Sequence, residues 1–210
     1  MNTITTTQLQ EALLHACDVI IDAEGMLTEL DTIIGDGDHG IGMKTGFSAL
    51  RTLLQEQQFT DAFTLLKESG MMLIKVMGGT SGVIFGTMFI GGLSAVKDKD
   101  PITVQDFAQY IDQGTKAISV RGKVDRGAKT MYDALAEARD SMLNAAAQDA
   151  DVHAFFLAGA EGAERGAEAT KPMQSRMGRS KNFRDRTVGH PDSGAVSTSL
   201  IFRALSDYFS

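Results

Sequence analysis

Apolar side chains return every three or four residues in eight successive stretches of this chain, and nowhere do they alternate convincingly over a strand's length. A step of three or four places residues on one helix face, whereas a strand needs a period of two. The first stretch joins Leu9, Leu13, Ala16, Ile20 and Ala23. Thr7 is its expected N-cap, Gln10 completes a capping box, and the helix is expected to run to about Leu30. Further helices are expected over 43–57, 61–76 (opened by Thr60), 83–96, from Thr103 through Ile118, then 130–147, 151–170 and 195–209. No internal repeat or linker divides the 210 residues. One all-α domain over 1–210 follows, a bundle or barrel of about eight amphipathic helices.

Several function classes are excluded. The net charge of -7 argues against nucleic acid as a general partner. The apolar run 83–96 is shorter than the ~20 residues a bilayer requires, and reads as a buried core helix. The start, Met1-Asn2-Thr3-Ile4-Thr5-Thr6-Thr7, lacks the basic and apolar regions of a signal peptide. Cys17 is the sole cysteine and lies in an apolar-periodic stretch, so it reads as a small buried hydrophobe. These features fit a cytoplasmic protein that makes no membrane contact.

The richest chemistry lies in Leu30-Asp31-Thr32-Ile33-Ile34-Gly35-Asp36-Gly37-Asp38-His39-Gly40. Three aspartates fall within eight residues, and glycines between them permit a tight turn. Such a turn can aim several carboxylates at one point, where they repel one another unless a cation sits among them. Hard oxygen ligands suit Mg2+ or Ca2+, and the long ladder and closing glutamate of an EF-hand are absent. The pattern alone admits two readings, a Mg-phosphate site or an Asp/Gly-rich surface turn. Asp31 would end the first helix, where the dipole disfavours a carboxylate, which points to a cation nearby.

Three further stretches carry polar chemistry between apolar runs. Met77-Gly78-Gly79-Thr80-Ser81-Gly82 could cradle phosphate oxygens with backbone N–H groups and two hydroxyls, or simply connect two helices. It is neither a Walker A loop nor a dinucleotide fingerprint. Arg121 to Met131 is a basic, Gly-punctuated loop in an acidic chain, able to pair with phosphate or to serve as a solvated connector. From Met173 to Ala195 runs a long polar loop with four arginines and a lysine within eleven residues. Loops of that length in a compact domain are usually functional or disordered.

Taken in order, Asp31 with Gly35 to Gly40, Gly78 to Gly82, Arg121-Gly122-Lys123 with Lys129-Thr130-Met131, and Gly178-Arg179 with Gly189 to Ala195 resemble the nucleotide-binding L subunits of bacterial dihydroxyacetone kinases. The resemblance covers nearly the whole chain. It implies a closed barrel of eight antiparallel helices with the nucleotide at one end. Asp31, Asp36 and Asp38 would hold two Mg2+ ions that bridge the phosphates of ADP or ATP. His39, Gly40, Ile41, Gly42, Thr80, Ser81, Gly122, Met131, Arg179, Asp192, Ser193 and Gly194 would line the nucleotide. The resemblance also implies partners. A K-type subunit would hold the sugar covalently through a histidine, and an M-type subunit would rephosphorylate ADP in place from a phosphohistidine, with phosphoenolpyruvate as ultimate donor. The chain would act in a homodimer or heteromeric complex and carry no substrate-binding histidine of its own.

The chain departs from the family pattern in places. Gly42 stands where many relatives have Asn. Arg179-Ser180-Lys181-Asn182-Phe183-Arg184-Asp185-Arg186 replaces a usual Arg-Ala-Ser-Tyr-Leu-Gly-Glu-Arg, and Asp192-Ser193-Gly194 replaces Asp-Pro-Gly. With the metal loop intact and the long loop altered, another short keto-sugar is an expected acceptor. Two alternatives are an ATP-dependent ketose kinase subunit and a nucleotide-loaded module that binds a transcription regulator without turnover.

Overall fold

The structure is a computed structural model and describes residues 2–210. Among the described residues there are nine α-helices rather than eight. Helix α1 (Thr6–Asp22) is capped by Thr5, whose side chain accepts from Gln8 N at 3.2 Å while Gln8 Oε1 accepts from Thr5 N at 3.0 Å. The expected box at Thr7 and Gln10 is thus two residues late, because three consecutive threonines offer the same local pattern. Tertiary contacts choose between them. The short strand β1 (Thr3–Ile4) pairs antiparallel with β2 (Ile102–Thr103), and Thr6 N and Oγ1 both donate to Asp100 Oδ1. Gln10 is buried instead, and its Nε2 donates to Leu54 O at 2.7 Å and Gln57 O at 2.8 Å, satisfying carbonyls at the end of α3 (His39–Glu56).

The expected run to Leu30 breaks at Ala23, which ends α1 and begins α2 (Glu24–Ile34). Asp31 therefore sits in the last turn of a separate short helix. Helix α4 (Ala62–Met77) is capped by Asp61, which accepts from Thr64 N at 2.7 Å, rather than by Thr60. The expected loop at Gly78–Gly82 is mostly the first turn of α5 (Gly79–Ile90). Gly78 and Gly79 both adopt left-handed φ, +65° and +56°, so the chain reverses with no intervening loop. The expected extension to Val96 is a short 3-10 turn, Leu93–Ala95.

Helices α6 (Val104–Gly122), α7 (Met131–Ala147) and α8 (Val152–Ala169) begin where expected. Their caps are Thr103, Thr130 and Asp151, and the two threonines close capping boxes with Asp106 and Asp133. A 3-10 segment (Ser180–Thr187) lies in the long loop before α9 (Ser193–Tyr208).

Packing runs from α1 to α3, then through α4, α5, α6, α7, α8 and α9, and α9 returns to α1; α2 lies against α3 and α9. Neighbours joined by short connections, α3 with α4, α4 with α5 and α7 with α8, run antiparallel. The core is filled by Phe47, Phe155, Phe156 and Phe202, all nearly fully buried, with Phe107 edge-on to Phe155 and Phe156. Cys17 is buried, as expected, and burial raises its thiol pKa well above the ordinary value. Among the described residues, no helix is long and apolar enough to cross a membrane.

Candidate functional site

Because alternate helices run the same way, α3, α5, α7 and α9 bring their N-termini to a single cleft of about 820 Å³. Each N-terminus carries partial positive charge and unpaired N–H groups. Thr130 and Asp192 satisfy such groups on α7 and α9 with their side chains. Asp38 and Gly78, which precede α3 and α5, make no such bond. Two helix starts thus leave donors open for an anion.

The acidic turn forms one wall. Asp31 Oδ2 accepts from Gly37 N at 2.9 Å, and Gly37 takes φ +74° to bring its N–H there. Ser193 Oγ, in the first turn of α9, donates to Asp31 Oδ1 at 2.9 Å. One oxygen each from Asp31, Asp36 and Asp38 lies within 4.8 Å of the others. Asp31 is half-buried and the other two are exposed. Arg179 reaches over from the long loop, with Nη1 at 2.7 Å from Asp38 Oδ2 and in contact with Asp36. Its guanidinium offsets part of the repulsion among the carboxylates. Three carboxylates with open positions are a donor set for a hard divalent cation that keeps other ligands.

Behind the acidic turn, the half-buried His39 ring places Nε2 at 3.0 Å from Ser197 Oγ. Burial holds the imidazole below its ordinary pKa, against the opposing pull of Asp31. Asp192 caps α9 by accepting from Ala195 N at 2.8 Å, and burial pushes its carboxyl up to about 7. The far wall is apolar and comes from Ile84, Phe85, Ile118, Val124, Met131 and Tyr132. The cleft is thus acidic and N–H-rich at one side and greasy at the other, a shape that suits a phosphorylated aromatic ligand.

Every residue expected at the site lines this cleft except Gly40. A Cβ on Gly40 would lie 2.3 Å from Glu24 O, so the glycine lets α3 press on α2 and is not a wall residue. Gly42 does line the cleft, and a Cβ there would meet nothing within 4 Å. Motif reading missed Ile84, Phe85 and Ile118, which share the periodicity of the core. It read Lys129 as part of a basic loop facing phosphate or solvent, whereas this lysine is fully buried beneath the long loop and its Nζ is taken up by backbone carbonyls.

Residues 33–207 match the DAK2 domain. The chain belongs to that family. It is 33% identical over 203 residues to the ADP-binding subunit of the PEP-dependent dihydroxyacetone kinase of Escherichia coli, covering 97% of each chain. It is 31% identical over 192 residues to a D-erythrulose kinase of Mycolicibacterium smegmatis, covering 90% of this chain and 33% of that one. Among solved structures, the dihydroxyacetone kinase from C. freundii in complex with AMP-PNP and Mg2+ superposes with a TM-score of 0.75 at 26% identity. That match covers 99% of this chain and 35% of that one, so the DAK2 chain here spans about a third of the solved enzyme's length.

Proposed function

We propose that this chain is the nucleotide-carrying subunit of a phosphoenolpyruvate-dependent dihydroxyacetone kinase. The carrying observation is the convergence of Asp31, Asp36 and Asp38 within 4.8 Å beside two helix N-termini whose N-cap residues, Asp38 and Gly78, make no capping bond. The three carboxylates would hold two Mg2+ ions, and open N–H groups of α3 and α5 would take phosphate oxygens of ADP or ATP, joined by Thr80 and Ser81. When bound, the ions neutralise charge on the phosphoryl group in transit. Gly37 and Ser193 fix the rotamer of Asp31, so one ligand oxygen is oriented before any ion arrives. Ile84, Phe85 and Met131 supply a surface for the base and exclude water from it. The packing succession that returns from α9 to α1 fits a closed barrel with this site at one end.

A K-type subunit would bring the sugar, and an M-type phosphohistidine subunit would recharge ADP in place. The full-length match to the E. coli subunit supports this branch over a freely exchanging ATP enzyme. Denaturing protein purified without added ligand and weighing the released nucleotide tests it: ADP is expected. A wild-type protein that neither retains nor binds Mg-ADP would refute the assignment. A bound nucleotide that takes no labelled phosphate from the M-type subunit would refute the relay. The altered Arg179 to Arg186 run favours a second short ketose as acceptor; a ketose panel with the K- and M-type subunits decides, and clean preference for dihydroxyacetone removes that reading.

A further inference from the structure

Among the described residues Lys129 is the most deeply buried lysine or arginine, at 0% exposure, and it lies outside the cleft wall. Its Nζ donates to Thr170 O at 2.8 Å, Thr187 O at 2.7 Å and His190 O at 2.5 Å. An ammonium has three protons, and all three are used. Burial pulls the amine below its ordinary pKa and Asp192 pulls it back, yet three carbonyl acceptors can be met only by the charged form. The residue is held at φ +60°, a conformation that side chains seldom adopt, so the surrounding structure enforces this placement.

The three acceptors bracket the long loop. Thr170 ends α8, Thr187 ends the 3-10 segment, and His190 lies two residues before Asp192, the cap of α9. The neck of the loop is tied further by Arg176 N to Ala128 O at 3.1 Å, Ser175 N to Thr187 Oγ1 at 3.0 Å, Gly189 N to Lys171 O at 2.8 Å and Asp192 N to Thr170 Oγ1 at 2.9 Å. Two residues beyond this neck reach the acidic cluster. Arg179 contacts Asp36 and Asp38 from one limb, and Ser193 meets Asp31 just past the other.

We propose that Lys129 is a positioning residue: by clamping three carbonyls at the neck of the 171–192 loop, it sets where Arg179 and Ser193 stand over the three aspartates. This rests on the Mg-nucleotide reading of the cleft. It makes a residue with no contact to ligand a determinant of ligand affinity, acting through Arg179.

The test substitutes Lys129→Met, which keeps the length and removes the donors, alone and with Arg179→Met. Mg-ADP affinity is measured by calorimetry at a temperature where circular dichroism shows each protein folded. Lys129→Met is expected to weaken Mg-ADP about tenfold, the scale of lost outer-shell support. In the Arg179→Met background the same change should have less than half that logarithmic effect, because the residue it positions is gone. A purely structural lysine would give equal effects in both backgrounds, and that result overturns the proposal. Trypsin supplies a second readout, since Arg176 to Arg186 lies between the clamped limbs. Cleavage there should accelerate about tenfold in Lys129→Met, and an unchanged rate overturns the proposal. If wild type binds no Mg-ADP, the functional reading fails and the trypsin comparison alone decides the clamp. If Lys129→Met does not fold, hydrogen exchange on wild type decides instead. Amides of Ser175, Arg176, Gly189 and Asp192 should exchange far more slowly than those of 178–184; equally fast exchange overturns the clamp.

Discussion

Asp36→Asn should make the ligand-free protein more stable and the liganded protein less so. Asp36 sits within 4.8 Å of carboxylate oxygens on Asp31 and Asp38, and its side chain makes one favourable contact, with Arg179. Two unit charges at that separation repel by about 3.5 kcal/mol at an effective dielectric of 20 and about 0.9 kcal/mol in water. Side-chain exposure of 39% for Asp36 and 64% for Asp38 puts these pairs near the water limit. The substitution removes two repulsions of about 1 kcal/mol each and one exposed attraction of up to about 1 kcal/mol. A net gain of about 1 kcal/mol follows, or a Tm higher by about 2–4 °C for a domain of this size. With Mg-ADP the sign reverses. Ligand at a hundred times its Kd stabilises wild type by about 2.7 kcal/mol, and a variant lacking one metal oxygen forfeits most of that. Thermal unfolding in EDTA and in saturating Mg-ADP reads both signs in one experiment. If Asp36→Asn lowers Tm in EDTA as much as in Mg-ADP, the carboxylate is structural and the metal assignment is wrong.

Three other changes probe neighbouring features. Gly86→Val drives a Cβ to within 2.3 Å of Ile74 Cγ1 and 2.8 Å of Gly70 O, backbone that cannot give way; a loss of about 2–3 kcal/mol is expected from urea unfolding. Gly42→Asn enters open space on the cleft wall, so it should not destabilise the fold, and it should tighten Mg-ADP by about 2- to 10-fold in calorimetry through an added hydrogen bond. Asp192 has a folded pKa of about 7 against an ordinary value of 3.8, so the folded state binds the extra proton between these limits. Its contribution to stability is full below about pH 4 and is lost as pH rises through 7. Asp192→Asn keeps the cap and should flatten that fall, read as the difference in urea midpoints between pH 5 and pH 7.5.

The helices were legible because burial imposes a period that local sequence must obey. Thr103, Thr130 and Asp151 marked three helix starts correctly, since a cap acts only on the turn beside it. The misplaced boundaries have non-local causes. Thr5 won over Thr7 because Asp100, far along the chain, holds Thr6. The break at Ala23 was hidden because alanine is the best helix former, and no side chain there signals the turn. Gly78 and Gly79 read as a loop because glycine is costly in helices, yet here one glycine reverses the chain and the other opens α5.

The same division between local and distant causes explains the cleft. The acidic turn could be read in advance because seven or eight residues suffice to aim three carboxylates, and glycine spacing reports the turn that does so. The greasy wall could not, because Ile84 and Phe85 repeat like core residues and only the gap opposite them makes them a surface for a ligand. Lys129 is the extreme case. Its partners stand 41, 58 and 61 residues away, and each is a backbone carbonyl, a group that every residue carries. No pattern of side chains can announce such a contact. A lysine that closes on main-chain oxygens is visible only once the chain has folded around it, although the placement of Arg179 and Ser193 depends on it as directly as on their own sequence.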